Sequence, residues 1–254
     1  MTVLLATTAL AGEARFDDAR WWFLGLGAAS AATIAWQEIL APEQPARTQE
    51  GFAWLYEVPD TPQALAPEAK AWATASDVLL LGAIGADLAY AGTLRDVDLA
   101  LHLEALMAGF VAIQTLKLTV RAPRPTTWIT DDHLAGVDDV ARRAELEEMR
   151  AGTDAWMSFP SGHTGLAATA GSALATQLWL EGRRGWAAGA GVAALGVTIA
   201  TGTARVKAGK HHRIDTVVGG ALGTAAGVAV PVIGFDESFA LTAMPGGVGL
   251  AGRW

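Results

Sequence analysis

The 254-residue chain contains no cysteine, which excludes a disulfide framework, a thiol nucleophile and any cysteine-ligated metal site. Charge is scarce as well. Charged residues make up 17% of the sequence against 52% hydrophobic ones, and mean hydropathy is +0.30. This is greasier than an ordinary soluble domain and points toward a membrane. The few charges sum to −8, which argues against nucleic acid as a partner. Only five histidines are present, with no metal-like spacing among them, so neither a metal nor another cofactor is expected. Tyrosine is down to two residues while tryptophan reaches ten, a balance that suits side chains anchored at a membrane interface.

What is abundant is Ala, Gly, Leu and Val, gathered into six apolar segments: Trp21–Leu40, Ser76–Gly92, Leu99–Leu116, Gly162–Leu180, Gly185–Thr203 and Ile214–Phe235. Each is near the ~20 residues that a helix needs to cross a bilayer. None alternates with period two, and their small residues suit helices that pack backbone to backbone. The expected fold is therefore all-α, a transmembrane six-helix bundle forming one domain over residues 1–254. Asp77, Asp87, His102 and Glu104 fall within or at the ends of the second and third segments. They keep a soluble helical bundle in play as the alternative.

Between segments, Ala41–Ala75 reads as an extramembrane loop. Thr126–Met157 is polar, with a short amphipathic helix in "DDVARRAELEEMRAG", and reads either as a lid or as a solvated excursion. The tail at 236–254 carries a Pro-Gly-Gly turn between short runs and suggests a small β-hairpin. The N-terminal "MTVLLATTALAG" lacks the basic region of a secretory signal and reads as a hydrophobic arm or a truncated start. If all six helices span, Arg183 and Arg184 in the "EGRRG" turn mark the cytoplasmic side. The polar motifs then face away from the cytoplasm.

Three polar stretches interrupt the apolar pattern. In "KLTVRAPRP", Lys117 and Arg121 lie one helical turn apart, and Pro125 pushes Arg124 out of the α region. A basic collar with snorkelling side chains would look the same. In "SFPSGHTG", Pro160 and Gly162 precede a helix start near His163. Free N–H groups and the helix dipole make such a start a cradle for an anion. Ser161 serves there as N-cap or as ligand. His163 is either structural or a proton donor to a leaving oxygen. In "ARVKAGKHHRIDTVVGG", Arg205 closes a helix, and His211 and Asp215 stand four apart on one face. A carboxylate at that spacing takes the Nδ1 proton and frees Nε2 as a nucleophile; otherwise the pair is a helix-end contact worth ~0.2–0.5 kcal/mol. Together the three stretches supply cations, an anion cradle, an oriented histidine and a second histidine, a set suited to phosphoryl transfer through a phosphohistidine.

The three stretches resemble the signature motifs of the type 2 phosphatidic acid phosphatase (PAP2) superfamily. Lys117 is followed by six residues and Arg124-Pro125. Pro160-Ser161-Gly162-His163 is complete. Arg205 is followed by five residues, His211, three residues and Asp215. Ala204 stands where the family usually has Ser before the arginine. The resemblance implies phosphate binding by Lys117, Arg124, Ser161, Gly162 and Arg205, with His163 as general acid, His211 as nucleophile and Asp215 as its orienting partner. It also implies a helical core over the third to sixth segments. The substrate would be a lipid phosphate or diphosphate, in an inner membrane whose lipids are the remaining partners. A broad-specificity soluble or periplasmic acid phosphatase and a vanadium haloperoxidase share the same anion site. A non-catalytic phosphate binder would not need the His211–Asp215 pair.

Overall fold

The computed structural model describes residues 61–93 and 96–235, the segments 239–244 and 247–252, and Phe52, Tyr56 and a few helical positions within 25–35. Most of the expected first helix, Trp21–Leu40, lies outside the described residues.

Among the described residues five long helices form the body: α1 (Ala69–Ala91), α2 (Asp96–Val120), α5 (Gly162–Leu180), α6 (Arg184–Lys207) and α7 (Arg213–Phe235). Two short ones, α3 (Asp131–Ala135) and α4 (Val140–Ala151), lie in the excursion after α2. Strands β1 (Phe239–Met244) and β2 (Gly247–Gly252) pair antiparallel, Phe239 opposite Gly252. α1 begins seven residues ahead of the apolar run at Ser76. The stretch "AKAWATA" before it is rich in Ala, Lys and Trp, and Ala and Lys hold a helix without being apolar enough to mark one. The loop expected up to Ala75 therefore ends at Glu68.

Helix α5 is the axis. It packs on α7 and α6 most extensively, and on α1 and α2 as well, while α1 with α2 and α6 with α7 touch each other little. The other four form a ring around it. Gly219, Gly223 and Gly227 recur every fourth residue on α7. A methyl at any of them would collide with α5, at Ser161, Gly165 and the Thr169–Ala173 turn respectively. Small residues let the two backbones approach closely, as membrane helices do.

Among the described residues, four stretches are long and apolar enough to cross a membrane: Ala69–Ala91, Leu99–Trp128, Arg184–Lys207 and Arg213–Gly234. α5 is not among them. It carries His163, Thr164, Thr169, Ser172, Thr176 and Gln177, and the surrounding ring buries Thr164, Thr169 and Gln177. The large apolar side chains point outward instead, with Val192 75% and Leu81 68% exposed. A polar centre inside an apolar exterior is the reverse of a soluble bundle.

The acidic residues and His102 that count against a bilayer find partners or cover. Asp87 and His102 are fully buried between α1 and α2, with Oδ1 2.6 Å from Nδ1. Glu104 is buried on α2. Asp77 belongs to the site described next.

Candidate active site

Helix α2 stops because Arg121 turns into the left-handed region at φ 49°, and Pro123 and Pro125 follow. Arg124 is extended (φ −78°, ψ 160°), as expected for a residue preceding proline. The excursion then closes on itself. Arg124 N–H donates to the Ala155 carbonyl at 2.7 Å, and Ser158 N–H donates to the Ala122 carbonyl at 3.0 Å. Thirty-odd residues of chain thus return to their start. A small core of Ala64, Ile129, Leu134 and Leu146 holds them there. This closure sets the first basic stretch beside the second polar one. Lys117 Nζ, at the end of α2, donates to the Met157 carbonyl at 2.5 Å.

The peptide bond Phe159–Pro160 is cis, and α5 begins at Gly162. Ser161 occupies the N-cap position, yet its hydroxyl pairs with the Thr164 hydroxyl at 3.0 Å rather than capping an N–H. Its own N–H donates to the Asp215 carbonyl at 2.9 Å. The first-turn N–H groups of α5 are left without a side-chain cap, the arrangement that accepts an anion. A Cβ on Gly162 would meet Lys117 Cε at 3.9 Å, so the cradle opens directly beside that ammonium.

Helix α6 ends in a Schellman motif. Lys210 N–H donates to the Arg205 carbonyl and Gly209 N–H to the Val206 carbonyl, with Gly209 at φ +65°. A side chain at Gly209 would strike the backbone of Ala64. This turn delivers His211 into the interior, where it is 2% exposed. Its Nδ1 donates to the Ser158 carbonyl at 2.8 Å. The carboxylate of Asp215 lies 3.6 Å from Nδ1. The helical spacing alone gives the Nδ1 bond to Asp215; the structure gives it to the Ser158 backbone, because Ser158 enters from a different segment. Either arrangement leaves Nε2 without the proton. Asp215 is fully buried and collects three donors: Ser158 Oγ at 2.5 Å, Tyr56 Oη at 3.0 Å and His212 N–H at 2.8 Å. The ring of Tyr56 stacks on His212 at 3.9 Å, with Trp128 edge-on at 4.8 Å.

Burial pushes the His211 pKa well below its ordinary value, and Lys117, Arg124 and Arg205 push it further in the same direction; the Ser158 bond opposes them. Three cations from two separate motifs therefore bear on one imidazole. Tyr56 is held protonated by its burial and by the Asp215 charge.

Arg124 pairs with Asp154 at 2.6 Å. Arg205 donates to the buried Ser76 hydroxyl at 3.3 Å and lies 3.8 Å from Asp77. The Nε atoms of Arg124 and Arg205 are both buried without a partner among the described residues, and buried orphan donors of this kind call for an acceptor. His163, in the first turn of α5, has Nε2 2.8 Å from Asp77 Oδ1. Lys117, Arg124, Ser161, Gly162, His163, Arg205, His211 and Asp215 thus all meet at one end of the bundle. Sequence reasoning missed Ser76 and Asp77 on α1, Tyr56, Asp154 and Ser158. For Asp77 the signal was available as a carboxylate in an otherwise apolar segment. For Ser158 it was adjacency to the motif. For Asp154 there was none.

No curated protein and no solved structure gives a match to the chain. The family model described as the PAP2 superfamily matches residues 98–238, a span that runs from the start of α2 through the end of α7 and takes in every motif residue named above. On that match the chain belongs to the PAP2 superfamily, a family that points to phosphatase action on phosphate esters.

Proposed function

We propose that the protein hydrolyses the monoester of a lipid phosphate or diphosphate through a phosphohistidine on His211. The observation that carries the reading is His211 itself: Nδ1 tied to the Ser158 carbonyl, Nε2 freed, and three cations acting on the ring.

In the first step Nε2 of His211 attacks phosphorus, the N–P bond forms and the ester P–O bond breaks. Lys117, Arg124, Arg205 and the N–H groups at the start of α5 stabilise the equatorial oxygens; Ser161 and Gly162 shape that cradle. His163 gives its proton to the departing alkoxide. In the second step His163 takes a proton from water, whose oxygen attacks phosphorus and releases phosphate and neutral His211. The positive charge in this scheme comes from side chains, with no metal invoked. Asp215 steadies the Ser158 segment and the start of α7 through its three hydrogen bonds and offsets the charge that His211 gains. Asp77 serves His163 in the same way.

The lipid nature of the substrate is supported by the four apolar helices and by a site at one end of them. Arg183 and Arg184 sit at the other end, which supports a site facing away from the cytoplasm of an inner membrane. Residues 1–254 are read as one domain. Purified protein assayed on a panel of lipid phosphates tests this reading. Phosphate release from at least one lipid, absent in His211→Ala, is expected; no release from any lipid alongside hydrolysis of soluble esters would move the substrate class to small phosphates.

A further inference from the structure

We propose that the face between α6 and α7 binds an anionic phospholipid, with an acyl chain lying along α5 and the headgroup phosphate held by Lys207 and Arg213. The two helices diverge enough to leave a groove of 1250 Å³. Its floor is one stripe of α5 from Thr164 through Ala168 and Ser172 to Trp179; Thr164 and Ala168 are 2% exposed beneath the contact of α6 with α7, and the stripe opens from Ser172 to Trp179. Seven rises of 1.5 Å make the open floor about 10 Å long. A leaflet is about half of a ~30 Å hydrocarbon core, so the open floor takes the greater part of one extended chain. The walls are small or apolar, Gly191 and Leu195 on one side, Val217 and Val228 on the other. In a bilayer such a groove does not stay empty, because its lining atoms would forgo their dispersion contacts.

Charge selects the occupant. Lys207 and Arg213 line the groove at its active-site end. They flank the short turn that carries His211. Both are exposed, and among the described residues neither forms an ion pair with an acid; Lys207 rests over the Trp72 ring at 4.1 Å. Two cations at a membrane surface attract an anionic headgroup. A second copy of the chain presenting the same face would set like charges together. None of the residues assigned to phosphoryl transfer lines the groove, so this is a separate site and does not depend on the phosphatase reading.

The test is native mass spectrometry of the full-length protein released from nanodiscs of phosphatidylglycerol and phosphatidylcholine with the same chains. One retained phosphatidylglycerol per monomer is expected, preferred over phosphatidylcholine. Lys207→Gln and Arg213→Gln should each weaken the preference about fivefold. Gly191→Leu plugs the groove where a Cβ meets nothing within 4 Å, and Ala221→Leu does so from the opposite wall. Either should reduce retention of both lipids while melting temperature stays near wild type. A lipid-free monomer, a dimer in place of the lipid adduct, equal retention of the two lipids, or a preference unchanged in the double Gln variant would each overturn the proposal.

Discussion

Asp77 Oδ1 lies 2.8 Å from His163 Nε2, which joins α1 to the first turn of the central helix α5. The same carboxylate oxygen is 3.8 Å from Arg205. If His163 is the proton donor, its protonated form leans on Asp77. Asp77→Asn should then lower kcat and move the alkaline limb of the pH–rate profile down by about one unit, with little change in KM. An unshifted limb would leave Asp77 as packing alone.

His211→Ala should reduce turnover by a factor on the order of 10⁴ or more, because loss of the proposed nucleophile would remove the covalent route entirely. Circular dichroism and melting of the variant should match wild type. Residual activity within tenfold of wild type would eliminate the phosphohistidine.

His211 also sets a pH dependence of stability. Its pKa is depressed in the folded chain below the ordinary 6.5, so the native state favours the neutral ring. The unfolded chain takes up the proton first as pH falls. Stability is complete above about pH 6.5 and declines below it. His211→Asn cannot protonate and should lose less melting temperature than wild type between pH 7 and pH 5. Parallel loss in both proteins would contradict the burial effect.

Gly223→Ala should destabilise the bundle by about 1–3 kcal/mol, since the new methyl would run into the Gly165 backbone. Gly189→Ala on the ring exterior, where a Cβ meets nothing within 4 Å, should cost nothing measurable and serves as the control. Thermal denaturation in one detergent compares the two.

Vanadate should inhibit at sub-millimolar concentration, because its trigonal bipyramidal form resembles the state that Lys117, Arg124 and Arg205 are proposed to stabilise. Inhibition kinetics check this. Halide oxidation with peroxide and vanadate would instead assign the site to haloperoxidase chemistry.

The three motifs were legible because their chemistry is local: spacing within each sets a helix face or a helix start. The start of α5 was readable to within a residue, since Pro160 and Gly162 mark a break just ahead of His163. What spacing could not show is how separate segments meet. His211 and Asp215 share a helical face, yet the nearer acceptor for Nδ1 is the Ser158 carbonyl, 53 residues away. The start of α1 was hidden because Ala and Lys form helix without hydropathy. The charges in the second and third segments looked like objections to a membrane; Asp87 and His102 answer each other only once α1 and α2 are side by side.

The enclosed position of α5 bears on how the chain is made. A helix that is not itself among the stretches apolar enough to cross a membrane gains less than its neighbours by entering lipid alone. It settles only when apolar companions are there to wrap it. Two of them, α6 and α7, are synthesised afterward. The segment that carries the proposed acid therefore waits on its successors, and a nascent chain stopped before α7 should remain in the hands of the insertion machinery.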